Sequence, residues 1–102
     1  MKKLSIVIPT YNEENTIGEV IGAIAEKSAG GATLALDYEI IVVDDGSTDG
    51  TKDVISRIQE RSQNSRCPLK YISLEKNCGK GAALRRGFKE ASGDIVLVQD
   101  AD

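Results

Sequence analysis

Apolar and polar positions follow a repeated order along the chain: a run of mostly β-branched apolar residues, a polar loop, and then apolar residues at helical spacing. The apolar runs predict four β-strands, at residues 4–8, 38–43, 69–74 and 94–99. The helical spacing that follows the first three runs predicts three helices, marked by Ile17, Val20, Ile21 and Ile24, by Val54, Ile55 and Ile58, and by Ala83, Leu84 and Phe88. Gly93 is predicted to end the third helix.

The apolar runs are continuous rather than alternating, which is typical of strands covered by helices on both faces. Strands that alternate with helices in this way form a parallel sheet. We therefore predict an α/β fold with a doubly wound, Rossmann-like parallel sheet and strand order 3-2-1-4, in which the first and fourth strands flank the point where the order reverses. Such sheets bind ligands outside the carboxyl ends of their strands, and the conspicuous polar loops all follow strands.

Composition narrows the classes of function. A chain of 102 residues forms one domain at most. Its net charge of −3 gives no electrostatic basis for binding nucleic acid. No apolar stretch is long enough to span a bilayer, so no membrane segment is predicted in this chain. Cys67 and Cys78 lie apart in a chain without histidine, which excludes most zinc patterns and favours reduced cysteines and a cytoplasmic location.

The loop after the second strand, residues 44–51 (DDGSTDGT), superficially matches a calcium-binding loop. The match fails because Ser56 stands where an EF-hand requires a bidentate glutamate. Residues 47–51 also suit a turn and a helix N-cap. Asp44 ends the strand, and we predict that it accepts hydrogen bonds from a base or ribose in the ligand crevice.

The loop NCGKGAALRRG, residues 77–87, joins glycines to a lysine at a predicted helix start. It is not a phosphate-binding Walker A loop, because no Ser or Thr follows Lys80. Gly79 and Gly81 would still let backbone N–H groups approach an anion, and Lys80 adds a positive charge. The alternative is an ordinary glycine turn with a solvated lysine. Arg85 and Arg86 are expected to cover the helix surface, although Arg85 lies one turn into the helix and could face the crevice.

Two further segments offer candidate ligand contacts. Tyr11 could stack on a base, and Glu13 could bind a ribose or favour the positive end of the first helix. Asp100 and Asp102 point to the same side of an extended segment, so their carboxylates can converge on Mg²⁺ or Mn²⁺. The alternative for this pair is a solvated chain terminus.

Taken together, the motifs resemble those of inverting family-two glycosyltransferases of GT-A fold, particularly the dolichyl- or polyprenyl-phosphate mannosyltransferases. The motifs are, in chain order, VIPTYNEE, IIVVDDGSTDGT, NCGKGAAL and DIVLVQDAD. The resemblance covers essentially the whole chain. It implies a UDP- or GDP-sugar donor, a polyprenyl phosphate or glycan acceptor, transfer of a hexose with inversion, and Mg²⁺ or Mn²⁺ on the diphosphate.

The resemblance also implies roles for matching positions. The base and ribose are expected near Pro9, Tyr11, Glu13 and Asp44, the diphosphate near Gly79 and Lys80, and the metal at a DxD motif formed by Asp100 and Asp102. In the full-length protein, the same resemblance allows a location at the cytoplasmic face of a membrane.

Family members continue through a second half that carries the acceptor site and the catalytic base. We therefore expect residues 1–102 to be the donor-binding part of a longer transferase, truncated after the DxD motif, with the base beyond residue 102. Alone, this part is expected to transfer no sugar, to bind Mn²⁺ weakly, and to self-associate through an open apolar edge at the fourth strand. The alternatives are a non-catalytic nucleotide-binding module and a sugar-phosphate nucleotidyltransferase.

Overall fold

The computed structural model of the chain describes residues 2–30, 36–62 and 68–101. The elements in chain order are β1 (Lys2–Thr10), α1 (Ile17–Gly30), β2 (Leu36–Asp44), α2 (Thr51–Ser62), β3 (Leu69–Ser73), α3 (Lys80–Glu90) and β4 (Ile95–Val98). Each predicted strand and helix is therefore present. No helix in this part of the chain has the length and apolar character needed to cross a membrane.

The four strands form one sheet with the order β3-β2-β1-β4. Every pairing is parallel, and Ile6 of β1 lies opposite Ile40 of β2 and Leu97 of β4. The predicted α/β fold and the order 3-2-1-4 are both confirmed. Because all four strands run parallel, the loops that follow β1 and its neighbour β4 reach the same edge of the sheet.

Both faces of the central strands are buried, which explains their continuous apolar runs. On one face, Ile6 and Ile8 pack with Ile40 and Val42 in a cluster that also contains Ile17 of α1 and Ile55 of α2. On the other face, Ile41 and Val43 pack with Ala83 of α3. Successive strand residues point to opposite faces, so a continuous apolar run supplies the packing on both faces of the sheet.

Helix α3 differs from the prediction in the residues that it buries. Ala83 and Gly87 are buried, whereas Phe88 is 48% exposed. A side chain at Gly87 would collide with Val7 of β1, so the glycine allows the helix to approach the sheet closely. Residues four apart share a helix face, and Phe88 follows Gly87 on a different face.

Gly93 does not end α3, contrary to the prediction. The helix ends at Glu90 with Ala91 as its C-cap residue. Gly93 lies against β1 instead, where its N–H donates to Ser5 Oγ at 2.8 Å and a Cβ would lie 2.8 Å from the Lys3 carbonyl oxygen. Close backbone packing, rather than helix termination, accounts for the glycine.

Strand β4 lies at the edge of the described sheet. Its four residues, Ile95–Val98, are 39–51% exposed, although all are large and apolar. This arrangement agrees with the expectation of an open apolar edge at the fourth strand. The first strand was predicted over residues 4–8, but β1 continues through Pro9 to Thr10. Proline is tolerated there because the ladder with β4 ends at the Val7–Val98 pair, which leaves that side of Pro9 without a strand partner among the described residues.

Candidate functional site

A cavity of about 310 Å³ opens at the carboxyl ends of the strands. This volume lies within the range of small-molecule sites, roughly 300–1,000 Å³. The lining residues come from the end of β1, from the segments that follow the four strands, and from the start of α3; they are Pro9, Thr10, Tyr11, Glu13, Asp45, Asn77, Gly79, Lys80, Ala83, Asp100 and Ala101. The structure thus brings together six residues singled out in the sequence, namely Pro9, Tyr11, Glu13, Gly79, Lys80 and Asp100.

Asp44 is not one of the residues that line this cavity. It is 1% exposed, and one carboxylate oxygen accepts a 2.8 Å hydrogen bond from the Ser47 N–H. The other oxygen accepts from the Tyr71 hydroxyl at 2.7 Å. Burial raises the pKa of Tyr71, and the hydrogen bond to Asp44 and its negative charge raise it further, to about 12. The structure therefore differs from the expected position of Asp44 in the crevice, while its role toward a nucleotide stays a prediction.

The next residue, Asp45, lies at the cavity wall and was not singled out in the sequence. Its two carboxylate oxygens accept hydrogen bonds from the N–H groups of Cys78, at 2.7 Å, and Gly79, at 2.9 Å. The DD pair in the sequence was the available signal. Neighbouring residues of a strand end point to opposite sides, and only the tertiary structure decides which acid faces the cavity.

Gly46 allows the loops after β2 and β3 to pack closely. Its φ of 78° lies in the left-handed region that favours glycine. A Cβ at this position would also lie 2.8 Å from the backbone nitrogen of Asn77. Asp45 and Gly46 therefore hold residues 77–79 against the end of β2, and this contact fixes the start of α3.

The first turn of α3 lies at the cavity wall. Its N-cap residue, Gly79, has a φ of 94° and no side-chain cap, so the following N–H groups are not covered by a capping side chain. A helix N-terminus of this kind attracts anions. The Lys80 ammonium lies 2.9 Å from a carboxylate oxygen of Asp100, and both side chains are more than half exposed. A cation, an acid and a helix N-terminus thus lie together.

Residues 11–16 connect this wall to the loop before α2. The Asn12 side-chain oxygen accepts hydrogen bonds from the N–H groups of Thr48, at 2.8 Å, and Asp49, at 3.3 Å. The Glu13 N–H donates to Thr51 Oγ1 at 2.9 Å. Asp49 accepts from the Thr51 N–H at 2.9 Å, which supports the interpretation of residues 47–51 as a turn and a helix cap.

Thr10 and Arg85 differ in their positions relative to the cavity. Thr10 lines the cavity, is 3% exposed, and has an Oγ1 without a hydrogen-bond partner among the described residues. A buried hydroxyl of this kind is a candidate ligand contact, and no motif or spacing in the sequence indicates it. Arg85 is exposed and does not line the cavity, which agrees with the expected position on the helix surface and not with the alternative position in the crevice.

The predicted metal site is described only in part, because Asp102 lies outside the described residues. Residues 2–30, 36–62 and 68–101 contain no group of three or more acidic, cysteine or histidine side chains suited to a metal ion. Asp100 nevertheless presents an exposed carboxylate at the cavity, and oxygen donors suit Mg²⁺ and Mn²⁺. Magnesium commonly takes one or two carboxylates, with phosphates and waters supplying the other ligands. The donor set of Asp100 fits such an ion.

Comparison with known proteins places this arrangement in a family. The family model for glycosyl transferase family 2 matches residues 5–102. The dolichol-phosphate mannosyltransferase of Pyrococcus furiosus is 45% identical over 98% of this chain and 26% of its own length. An undecaprenyl-phosphate 4-deoxy-4-formamido-L-arabinose transferase from Pseudomonas syringae is 37% identical over 100% of this chain and 28% of its own length.

Solved structures show the same fold. A mannosyltransferase from Pyrobaculum calidifontis, in complex with GDP-Man and Mn²⁺, superposes with a TM-score of 0.84 and 32% identity, over 99% of this chain and 28% of that one. Glucosyl-3-phosphoglycerate synthase from Mycobacterium tuberculosis, in complex with Mn²⁺ and UDP-glucose, superposes with a TM-score of 0.74 and 32% identity, over 99% of this chain and 33% of that one. The chain therefore spans between a quarter and a third of the length of these relatives.

Proposed function

Since the chain belongs to glycosyl transferase family 2, we propose that it is the donor-binding part of a hexosyltransferase that uses a UDP- or GDP-sugar. The observation that carries this proposal is the cavity at the carboxyl edge of the sheet, where Tyr11 and Glu13 lie on one wall and Lys80 and Asp100 on another. An aromatic ring with a carboxylate suits a nucleoside, and a cation beside a helix N-terminus suits a diphosphate. Both halves of a nucleotide sugar thus have a matching wall.

The nucleoside is proposed to lie against the segment after β1. Tyr11 is 42% exposed, so one face of its ring is available to a base. Glu13 offers its carboxylate to ribose hydroxyls, and Pro9 completes this wall. The two acids at the end of β2 are proposed to have different roles. Asp45 lies at the cavity wall, while Asp44 acts indirectly, through its hydrogen bond to the loop that contains Ser47.

The diphosphate is proposed to lie at the start of α3. The N–H groups after Gly79 and the Lys80 ammonium would hold its oxygens and stabilise negative charge as the sugar–phosphate bond breaks. Asp100, with Asp102, would hold Mg²⁺ or Mn²⁺, which supplies Lewis-acid stabilisation of the leaving diphosphate when bound. The acceptor oxygen attacks the sugar C1 as the C1–O bond to the diphosphate breaks, and this single displacement inverts the anomeric centre.

The acceptor is proposed to be a polyprenyl phosphate, with a glycan as the other acceptor class. Relatives named for dolichol phosphate and undecaprenyl phosphate support this assignment. The chain covers about a quarter of those relatives, so the acceptor site and the catalytic base are proposed to lie in the rest of a longer protein. A lipid-linked acceptor would place that protein at the cytoplasmic face of a membrane.

Calorimetric titration of the chain with UDP, GDP, UDP-glucose and GDP-mannose, each with and without Mn²⁺, tests the proposal. We expect one base to bind more tightly than the other, and Mn²⁺ to strengthen binding of the diphosphates. Lys80→Met should weaken diphosphate binding about 10-fold, because a charged contact to phosphate is lost.

The matched control is Lys89→Met, which removes an exposed lysine from the last turn of the same helix. It should leave the affinity unchanged. If no nucleotide binds with or without Mn²⁺, the donor-site proposal is wrong. If nucleotides bind but the two lysine variants behave alike, the diphosphate does not lie at the start of α3.

A further inference from the structure

The segment that carries Asp100 continues past the end of the β-ladder. The last residue pair of β4 with β1 is Val7 with Val98. One further backbone hydrogen bond joins the Gln99 N–H to the Val7 carbonyl at 2.9 Å. After that bond, the sheet no longer fixes the backbone. The Lys80 ammonium pairs with the Asp100 carboxylate itself, but the position of the Asp100 backbone depends on other contacts.

Ala101 supplies the first of these contacts. It is 4% exposed and packs in the apolar cluster that contains Ile8 and Ile17, whereas the neighbouring Asp100 side chain is 61% exposed. The small apolar side chain therefore turns into the core while the acid before it turns outward. Burial of a single methyl group is a weak restraint, and it does not by itself fix the rotation of the peptide.

Thr16 supplies the second contact. Its hydroxyl donates to the Ala101 carbonyl at 2.7 Å across 85 residues of sequence. A second acceptor, a Glu13 carboxylate oxygen, lies at 3.2 Å from the same hydroxyl. The hydroxyl has one hydrogen, and the shorter contact to Ala101 is the stronger bond.

The backbone of Thr16 is itself held firmly. Its N–H donates to the Glu13 carbonyl at 3.1 Å, and its carbonyl accepts from the Val20 N–H at 3.1 Å. Thr16 thus sits immediately before α1 on a hydrogen-bonded turn, and Ile17, which follows it, is completely buried. The Ala101 carbonyl is therefore tied to a rigid point of the fold.

We propose that Thr16 is a positioning residue for Asp100 as a metal ligand, acting through its hydrogen bond to the Ala101 carbonyl. The Gln99 N–H is bonded to β1 on one side of Asp100, and Ala101 is buried and bonded to Thr16 on the other side, so the two anchors together restrict the direction in which Asp100 leaves the backbone. The same hydroxyl lies beside Glu13, which links the nucleoside wall to the metal-binding segment. This inference rests on the proposed function, because it takes Asp100 as a metal ligand.

Titration of Mn²⁺ in the presence of excess UDP, followed by the electron paramagnetic resonance signal of free Mn²⁺, tests the inference. Thr16→Val keeps the shape of the side chain but removes the donor, and we expect it to weaken Mn²⁺ binding about 10-fold, as is common when residues that orient metal ligands are lost. Thr16→Ser keeps the hydroxyl and should bind Mn²⁺ nearly as the parent chain does. Thr16→Ala serves as a second donor-free variant if Thr16→Val does not fold.

Ser5→Ala controls for a loss of stability alone, because Ser5 hydrogen-bonds at the other end of the sheet. Urea unfolding of each variant gives the stability for comparison. The inference is overturned if Thr16→Val binds Mn²⁺ as the parent does, or if Ser5→Ala weakens Mn²⁺ binding as much at equal stability. Asp100→Asn separates the claim of a metal site at Asp100 from the claim that Thr16 positions it. If Asp100→Asn leaves Mn²⁺ binding unchanged, the metal site itself is contradicted. If Asp100→Asn weakens Mn²⁺ binding but Thr16→Val does not, only the role of Thr16 is contradicted.

Discussion

Polar side chains from several strands and loops meet at both ends of the sheet. The set at the amino end is buried and hydrogen-bonded within the protein, whereas the set at the carboxyl end is exposed. At the amino end, Ser5 and Glu39 are buried and bond to each other and to the chain before β4. At the carboxyl end, Tyr11, Lys80 and Asp100 are exposed around a cavity. Hydrogen bonds among buried partners stabilise the fold, whereas exposed groups around a cavity are available to a ligand.

The amino-end network is centred on Glu39. One of its carboxylate oxygens accepts from the Ser5 hydroxyl at 2.5 Å, and from the N–H and hydroxyl of Ser92 at 2.8 and 3.0 Å. The other oxygen lies 3.6 Å from the Lys3 ammonium. The network joins β1, β2 and the loop before β4, so it fixes where the edge strand starts. The Thr16–Ala101 bond holds the same strand beyond its other end.

The largest expected effect is on stability at the amino end. Glu39→Ala leaves Ser5 and the Ser92 N–H without their acceptor, and we expect the free energy of unfolding to fall by about 3 kcal/mol. Urea unfolding measures this loss. Nucleotide affinity, measured where the variant remains folded, should be unchanged. A strong loss of affinity at full folding would show that the two ends of the sheet are not independent.

The two neighbouring acids at the end of β2 give a sharper comparison. Asp45→Asn weakens acceptance from the Cys78 and Gly79 N–H groups, so we expect nucleotide affinity to fall several-fold through the loop before α3. Asp44→Asn weakens the bonds to Ser47 and Tyr71, and we expect a loss of about 1–2 kcal/mol in unfolding free energy with a smaller change in affinity. Calorimetry measures the nucleotide affinity of both variants, and urea unfolding measures their stability. The reverse pattern would assign the nucleotide contact to Asp44.

The smallest expected effect concerns pH. Burial raises the pKa of Glu39, but hydrogen bonds from Ser5 and Ser92 and the charge of Lys3 outweigh it, so the pKa lies below its ordinary value of 4.5. The folded chain therefore binds fewer protons there than the unfolded chain. The stability contributed by Glu39 is fully present above pH 4.5 and is lost as the pH falls through the folded pKa.

Unfolding free energies between pH 7 and pH 3 measure this dependence. Glu39→Gln removes the titrating group and should flatten the fall in acid. Asp49→Asn is a comparison, because Asp49 is another acid whose pKa is lowered. Burial raises the pKa of Asp49, but the hydrogen bonds from Thr51 lower it by more. An unchanged acid profile in Glu39→Gln would show that Glu39 does not contribute to it.

Much of the fold followed from the sequence because its signals are local. Continuous Ile and Val runs, interrupted by polar loops and helical spacing, are sufficient for a parallel sheet with helices on both faces. Six of the predicted contact residues also meet at one cavity, because loops that follow parallel strands share one edge of the sheet. Periodicity was less informative in α3, where it favoured Phe88 over Gly87 as a buried position.

Three features were decided only by tertiary structure. One is which acid of the Asp44–Asp45 pair reaches the cavity, because two identical neighbouring acids cannot be told apart before the end of β2 is placed in the sheet. The roles of Gly87 and Gly93 depend on how closely β1 is approached, which no spacing along the chain records. The bonds from Glu39 to Ser92 and from Thr16 to Ala101 join residues 53 and 85 positions apart. Local propensity and periodicity extend over a few turns of chain, so partners at such separations become neighbours only when the sheet has formed.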